Sequence, residues 1–300
     1  EVIQNKQQDF LGWMWGRNDG IVKVMELPND KQRIKDLYMK AGFLDAKVTD
    51  GLLQAEFGSY TAKQRYHIAE GQPYTVSSVD FSQADELKDK EQLQQLVKIK
   101  ENEIFNIETL RNDLEKLKNL YADMGYAYTQ AGPRIIPDED SHTVGVTYEI
   151  DPGQKVYIND VIISGNSKTI DRVIRREIFL APGDLYSLRD KKDSINALKR
   201  TGYFKEVDIK EKRVANDKIN LEVSVKEQQT GSLVFGIGYG SYDGMVYNIQ
   251  VSDKNIFGSG LDVSADLEES DSRSSYDFSL TNPRVWDSRY SAGVSVFDRE

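Results

Sequence analysis

The sequence predicts tandem α+β repeats of strand, helix, helix, strand, strand order, followed by the first strands of an antiparallel transmembrane β-barrel. Three observations carry this. A helical pattern ending in glycine plus an aromatic recurs at Gly42-Phe43, Gly125-Tyr126 and Gly202-Tyr203-Phe204, about 80 residues apart. From Thr230 onward the helical period disappears and strict two-residue alternation takes over. The 300 residues contain no cysteine, two histidines and a formal net charge of -10, which removes the usual material of catalytic and metal sites.

The composition excludes further classes. An acidic balance argues against a nucleic-acid footprint. No stretch approaches the 18 apolar residues of a membrane helix, but membrane strands give a much weaker signal. The chain opens at Glu1 without an initiator Met or an apolar leader pattern, and it is expected to be an internal segment of a longer protein.

The first repeat, 1–73, is incomplete in pattern. Its first helix would fall near Asp9 to Met14, where Trp13 and Trp15 serve as core filling. Its second helix leads into Gly42. The second repeat, 74–152, is predicted to carry a helix at 87–99 and another whose Leu110, Leu114, Leu117, Tyr121 and Met124 form one apolar face. Gly125 then suits the left-handed position that ends a helix. The third repeat, 153–229, has a predicted helix at 170–180, a second running to Gly202, and strands at 206–214 and 219–226. In the last of these Ile219, Leu221, Val223 and Val225 alternate with polar residues.

Residues 230–300 contain five alternating strands. The first sets Leu233, Phe235, Ile237 and Tyr239 against Ser232, Val234, Gly236, Gly238 and Gly240. The others centre on Met245 to Val251, Leu261 to Leu267, Tyr276 to Leu280 and Tyr290 to Val296. Nine or ten residues per strand, apolar on one face, match a bilayer wall. Five strands cannot close a barrel, and an open edge is untenable in lipid, so further strands are expected beyond Glu300. A soluble β-sandwich would also alternate, which keeps a periplasmic binding module as the alternative from another class.

Gly236-Ile237-Gly238-Tyr239-Gly240 superficially resembles a phosphate loop. No helix and no Lys-Ser/Thr follow, so the better reading is a strand weakened by glycine, a labile edge. The acidic groups Asp138-Glu139-Asp140 and Glu268-Glu269 read as solvated turn charge, since calcium-loop spacing is missing. The face carrying Arg172, Arg175, Arg176 and Glu177 reads as solvated, or as a salt-bridged docking surface.

The glycine-aromatic repeats, the junction Val225-Lys226-Glu227-Gln228-Gln229-Thr230-Gly231-Ser232, the turn Asn255-Ile256-Phe257-Gly258-Ser259-Gly260 and Leu280-Thr281-Asn282-Pro283 together resemble the Omp85 superfamily. The resemblance implies periplasmic POTRA domains before an outer-membrane barrel. It further implies a non-enzymatic insertase, without cofactor, catalytic residue, metal or nucleic acid. Its partners would be unfolded outer-membrane proteins, accessory lipoproteins and outer-membrane lipid. By the same resemblance, Gly231, Leu233, Phe235, Gly236, Ile237, Gly238, Tyr239 and Gly240 form a lateral-gate strand. The second strand of each POTRA, here 46–52, 127–134 and 207–212, is an edge for β-augmentation, with Lys47, Val48, Val207, Ile209 and Lys210 as its residues. Arg175, Arg176 and Glu177 match a partner-docking helix. Within the superfamily, a secretion or translocation pore is the alternative.

Overall fold

The computed structural model describes residues 5, 22–49, 52–56, 58, 61–83 and 88–299, in two compact units. The helix expected near Asp9 to Met14, with Trp13 and Trp15, lies outside the described residues.

The first unit comprises 1–121 and 128–153. Helix α1 (Leu27–Lys40) starts at a proline in its first turn and leads to Gly42 at φ 94°. Short ladders follow: β1 (Lys47–Val48) pairs with β4 (Ile68–Ala69), and β2 (Leu52–Glu56) pairs with β3 (Thr61–Arg65). Then come β5 (Thr75–Gln83), α2 (Lys90–Leu96), α3 (Ile107–Asp123), β6 (Gln130–Asp138) and β7 (Thr143–Asp151). Strand β7 lies centrally, parallel to β5 and antiparallel to β6. Its Val144, Val146, Tyr148 and Ile150 alternate into a core completed by Tyr74, Leu93, Leu110, Leu117 and Tyr121.

Helix α2 is shorter than the predicted 87–99. Asp113 of α3, fully buried, accepts the N–H groups of Lys98 (2.6 Å) and Ile99 (3.0 Å), and these bonds hold the chain extended there. Gly42 carries two constraints besides its positive φ. Its carbonyl accepts the N–H of Tyr74 at 2.9 Å, and a Cβ on it would stand 2.5 Å from Ile104.

The second unit comprises 122–127 and 154–300. Gly125 (φ 99°) repeats the arrangement: its carbonyl accepts Val156 N–H at 2.8 Å and a Cβ would meet Leu185 at 2.5 Å. At Gly42 and Gly125 the glycine therefore answers to a turn and a close approach together, whereas at Gly202, where a Cβ would meet nothing within 4 Å, it answers to the turn alone. Next come β8 (Tyr157–Ser164), α4 (Asp171–Arg175), α5 (Leu188–Thr201), β9 (Phe204–Ala215) and β10 (Lys218–Glu227), with sheet order β8-β10-β9. Ser187 caps α5 by accepting the Asp190 N–H, and Gly202 ends it in the left-handed region. Helix α4 stops well before the predicted residue 180; single turns at Glu177 and Ile178 replace it.

From Gly231 a meander of five antiparallel strands follows: β11 (Gly231–Gly240), β12 (Gly244–Asp253), β13 (Asp262–Ser270), β14 (Ser274–Asn282) and β15 (Ala292–Arg299). Register turns the alternation into continuous rows. Leu233, Val251, Ala265, Phe278 and Val296 lie side by side on one face, while Ser232, Ser252, Ser264, Ser279 and Ser295 form a serine row on the other. The apolar row stands out into its surroundings, with Leu233 72% exposed. Such a face matches the lipid-facing side of an outer-membrane barrel wall. Strand β15 begins at Ala292 and not at Tyr290, because the Tyr290 carbonyl accepts Val285 N–H at 2.9 Å to close a turn.

Candidate functional site

Three strand edges and one junction hold the unusual chemistry. The first edge is that of β11, which pairs with β12 alone among the described residues. Gly236, Gly238 and Gly240 share the face of Ser232 and Val234. A Cβ on Gly238 would meet nothing within 4 Å, so this half of the strand lacks side-chain packing. Leu233, Phe235, Ile237 and Tyr239 all point to the exposed apolar face. The five-residue glycine pattern is extended strand with no helix after it, as the sequence implied.

The other two edges are β6 and β9, each the outer strand of a three-stranded sheet. They are not equivalent. Strand β6 carries Pro133 and Pro137, opposite Tyr148 and Val144 of β7. A proline has no N–H to give a ladder, so it is tolerated where its nitrogen faces away from the partner strand. Four residues apart, both prolines face the same way and strip donors from the free edge. Strand β9 has twelve residues and no proline. On it Val207 and Ile209 are buried in the core, and Lys210 is exposed. The first repeat offers less: Lys47 is exposed and Val48 buried on a two-residue ladder.

Opposite β9, the β8 edge is occupied. The Arg175 guanidinium donates to the Val161 carbonyl at 3.3 Å, and Val161 N–H donates to the Asp160 side chain at 2.7 Å. Arg175 thus covers a strand edge.

Its neighbours Arg176 and Glu177 are internal, which corrects the expectation of an exposed docking face. Glu177 receives a bidentate pair from Arg284, Nε at 2.8 Å and Nη2 at 2.6 Å, with its side chain only 5% exposed. Arg176 lies between Glu177 (3.8 Å) and Asp287 (3.6 Å), and Asp287 also accepts from Arg172 at 2.5 Å. The Arg172 hydrogen bond holds the Asp287 carboxyl below its usual range. These contacts clamp the turn between β14 and β15 onto the α4 region. The turn between β12 and β13 docks beside it. Buried Asn255 donates to Thr169 Oγ1 at 2.9 Å, and the Gly258 carbonyl accepts Ile170 N–H at 3.1 Å. A Cβ on Gly258 would stand 2.0 Å from the Lys168 carbonyl oxygen.

Glu227, at the end of β10, shapes the loop that meets this turn. Its carboxylate accepts the N–H groups of Ser167, Lys168 and Thr169, plus the Ser167 hydroxyl at 2.7 Å. Burial alone would raise its pKa, but these hydrogen bonds outweigh it and hold the pKa at about 2. A depressed carboxylate stabilises the fold fully above its unfolded value and loses that contribution as pH falls from 4.5 toward 2. Partial exposure discounts the effect to about 1–2 kcal/mol. Glu227→Gln is expected to flatten the pH dependence of stability in that window, measured by denaturant unfolding at stepped pH. A cleft of about 650 Å³ lies between this loop and the foot of β11, lined by Thr169, Tyr203, Gln228, Thr230 and Gly231.

The sequence did not single out Arg284, Asp287, Asn255 or Glu227 as functional. For the first three the available signal was the pair of breaks in alternation at 254–261 and 283–290, each holding hydrogen-bonding side chains; Glu227, at the end of an alternating strand, gave none.

Known proteins share this arrangement. The family model for POTRA, the surface antigen variable number repeat, matches residues 74–153 and 156–228. The outer membrane protein assembly factor BamA of Nitratidesulfovibrio vulgaris is 31% identical over 302 residues, covering 99% of this chain and 38% of that protein. BamA of Neisseria meningitidis serogroup B is 26% identical, covering 96% of this chain and 36% of that protein. The chain thus spans somewhat over a third of the length of these curated relatives. Among solved structures, BamA from Haemophilus ducreyi lacking POTRA domains 1–3 superposes at a TM-score of 0.67 with 27% identity, over 75% of this chain and 43% of that one. POTRA3–5 of Haemophilus influenzae BamA shares the fold at a TM-score of 0.58 and 21% identity, over 67% of this chain and 80% of that one.

Proposed function

The chain belongs to the Omp85 family, with POTRA repeats preceding an outer-membrane sheet, and from that premise we propose that it assembles β-barrel proteins into the outer membrane without enzymatic chemistry. The carrying observation is β11 itself, whose Gly236, Gly238 and Gly240 alternate along one face and which pairs with β12 alone among the described residues. An incoming strand needs backbone donors and acceptors that ignore its side chains, and an open strand edge supplies them. Glycine keeps this pairing weak enough to be released. The POTRA sheets stand in the periplasm and hold clients before insertion; the accessory lipoproteins of such a machine are further proposed partners.

Of the POTRA edges, β9 is the competent one and β6 the blunted one, because of Pro133 and Pro137. Photo-crosslinkers at Glu206, Asp208 and Lys210 are expected to capture an unfolded outer-membrane client, whereas those at Arg134 and Ile136 capture little. Equal capture on both strands would sink the proline argument. Capture on neither would remove strand addition at these edges altogether.

A further inference from the structure

The two turns that dock on the α4 region are copies of one another, 29 residues apart. Ile256-Phe257-Gly258-Ser259-Gly260-Leu261 matches Val285-Trp286-Asp287-Ser288-Arg289-Tyr290 in its closing hydrogen bonds and in its left-handed second and third residues, and departs from it at Ser259 and Gly260. Ile256 N–H donates to the Leu261 carbonyl at 3.1 Å, and Val285 N–H donates to the Tyr290 carbonyl at 2.9 Å. The Ser259 hydroxyl donates to the Ile256 carbonyl and the Ser288 hydroxyl to the Val285 carbonyl, both at 2.6 Å. Phe257 has φ 53° and Trp286 φ 52°, and the residue after each is also left-handed.

A bulky side chain in that region costs about 1–2 kcal/mol, where Gly or Asn would sit without strain. The turn hydrogen bonds hold the backbone there, but the rings themselves add no packing to offset that cost, since Phe257 is 92% exposed and Trp286 91%. Two turns therefore hold an aromatic ring at a strained tip with no packing of their own.

Their position points to what covers them. Each turn runs directly into the outward apolar row of the next strand: Leu261 continues into Val263, Ala265 and Leu267, and Tyr290 into Ala292, Val294 and Val296. The aromatics thus stand at the end of strands whose nine or ten residues match the hydrocarbon thickness. That is the depth at which Trp, Tyr and Phe collect on barrels, half in headgroups and half in acyl chains. Exposed Lys254 and Arg289 flank the tips, placed for lipid phosphates.

We infer that Phe257 and Trp286 are paired membrane-interface anchors, seated in the lipid headgroup layer at the domain-bearing end of the sheet. Both tips belong to the turns that Thr169, Arg172, Arg176 and Glu177 grip, so the anchors fix the height of the last POTRA domain against the bilayer. This rests on the sheet being a bilayer wall, and the test separates the two.

These 300 residues contain no cysteine, and any cysteine elsewhere in the full-length protein is first replaced by serine so that single labels are clean. Nitroxides are placed at Phe257→Cys and Trp286→Cys in the full-length protein, reconstituted in phosphatidylethanolamine–phosphatidylglycerol vesicles. Phe278→Cys on the wall and Asn216→Cys in the β9–β10 turn serve as references. The ratio of oxygen to nickel-chelate collisions is expected to be several-fold higher at 257 and 286 than at 216, and below that at 278. Water-like values at 257 and 286 with a lipid-like 278 would overturn the anchors and leave the wall intact. Shielding from both reagents would also overturn them, by placing the tips under a protein partner. A water-like 278 would remove the wall itself. Should the labelled variants fail to assemble, brominated-lipid quenching of the unlabelled protein against Trp286→Phe isolates this indole; no difference between the two would contradict the proposal.

Discussion

Glu177→Ala is expected to loosen the grip between the α4 region and the β14–β15 turn by about 3 kcal/mol, the order found when one member of a buried ion pair is removed. The loss is large because of what remains. Arg176 has a side chain only 9% exposed and an Nε with no hydrogen-bond partner, and Glu177 is one of its two counter-charges. Without the carboxylate, Arg176 and Arg284 face each other across the space it filled. Hydrogen exchange at Ile170, whose N–H donates to Gly258, reads the opening directly, and about a hundredfold acceleration is the expected result. Arg284→Ala should cost less, since the arginine side chain is 29% exposed and its removal leaves Arg176 to approach Glu177. Arg172→Ala should cost least, because that guanidinium is 70% exposed and a surface pair is worth little. An equal effect at all three positions would mean that the network is held by the backbone turns and not by its charges.

The second large effect concerns β11. Its apolar side chains are exposed and its opposite face is largely glycine, so pairing across the edge that has no partner among the described residues is carried by backbone hydrogen bonds alone. Conservative changes such as Leu233→Val or Phe235→Leu are expected to leave client pairing almost unchanged. Proline is expected to abolish it at alternate positions, those whose N–H faces outward, while at the intervening positions it should instead damage the β11–β12 ladder. A two-residue period in the loss of client capture is therefore the signature of strand addition.

The fold was legible where a residue answers to a local rule. Gly42, Gly125 and Gly202 marked three helix ends, and all three adopt positive φ. Strict alternation after Thr230 marked five strands, because register converts period two into rows across the sheet. The site was less legible, for a physical reason. Arg284 meets Glu177 across 107 residues of chain, and no periodicity reports such a pair. Arg-Arg-Glu at the end of a short helix has the same pattern whether it faces water or is covered, and here the cover is a turn of the distant sheet. The predicted helix at 87–99 is longer than the observed α2 for a similar reason. Asp113 withdraws two N–H groups from that segment by a tertiary bond, which outweighs local propensity. Pro133 and Pro137 were visible throughout, but their meaning depends on β6 being an edge, which sheet order alone reveals.

The most direct test of strand addition at the wall is capture of a stalled client barrel by photo-crosslinkers stepped along Gly231–Gly240 in the full-length protein. The expected result is crosslinking of successive β11 positions to successive residues of one client strand, in a single register, for clients of unrelated sequence. Crosslinks that form at β9 but nowhere along β11 would contradict it, leaving the periplasmic edges as holding sites and the wall without a templating role.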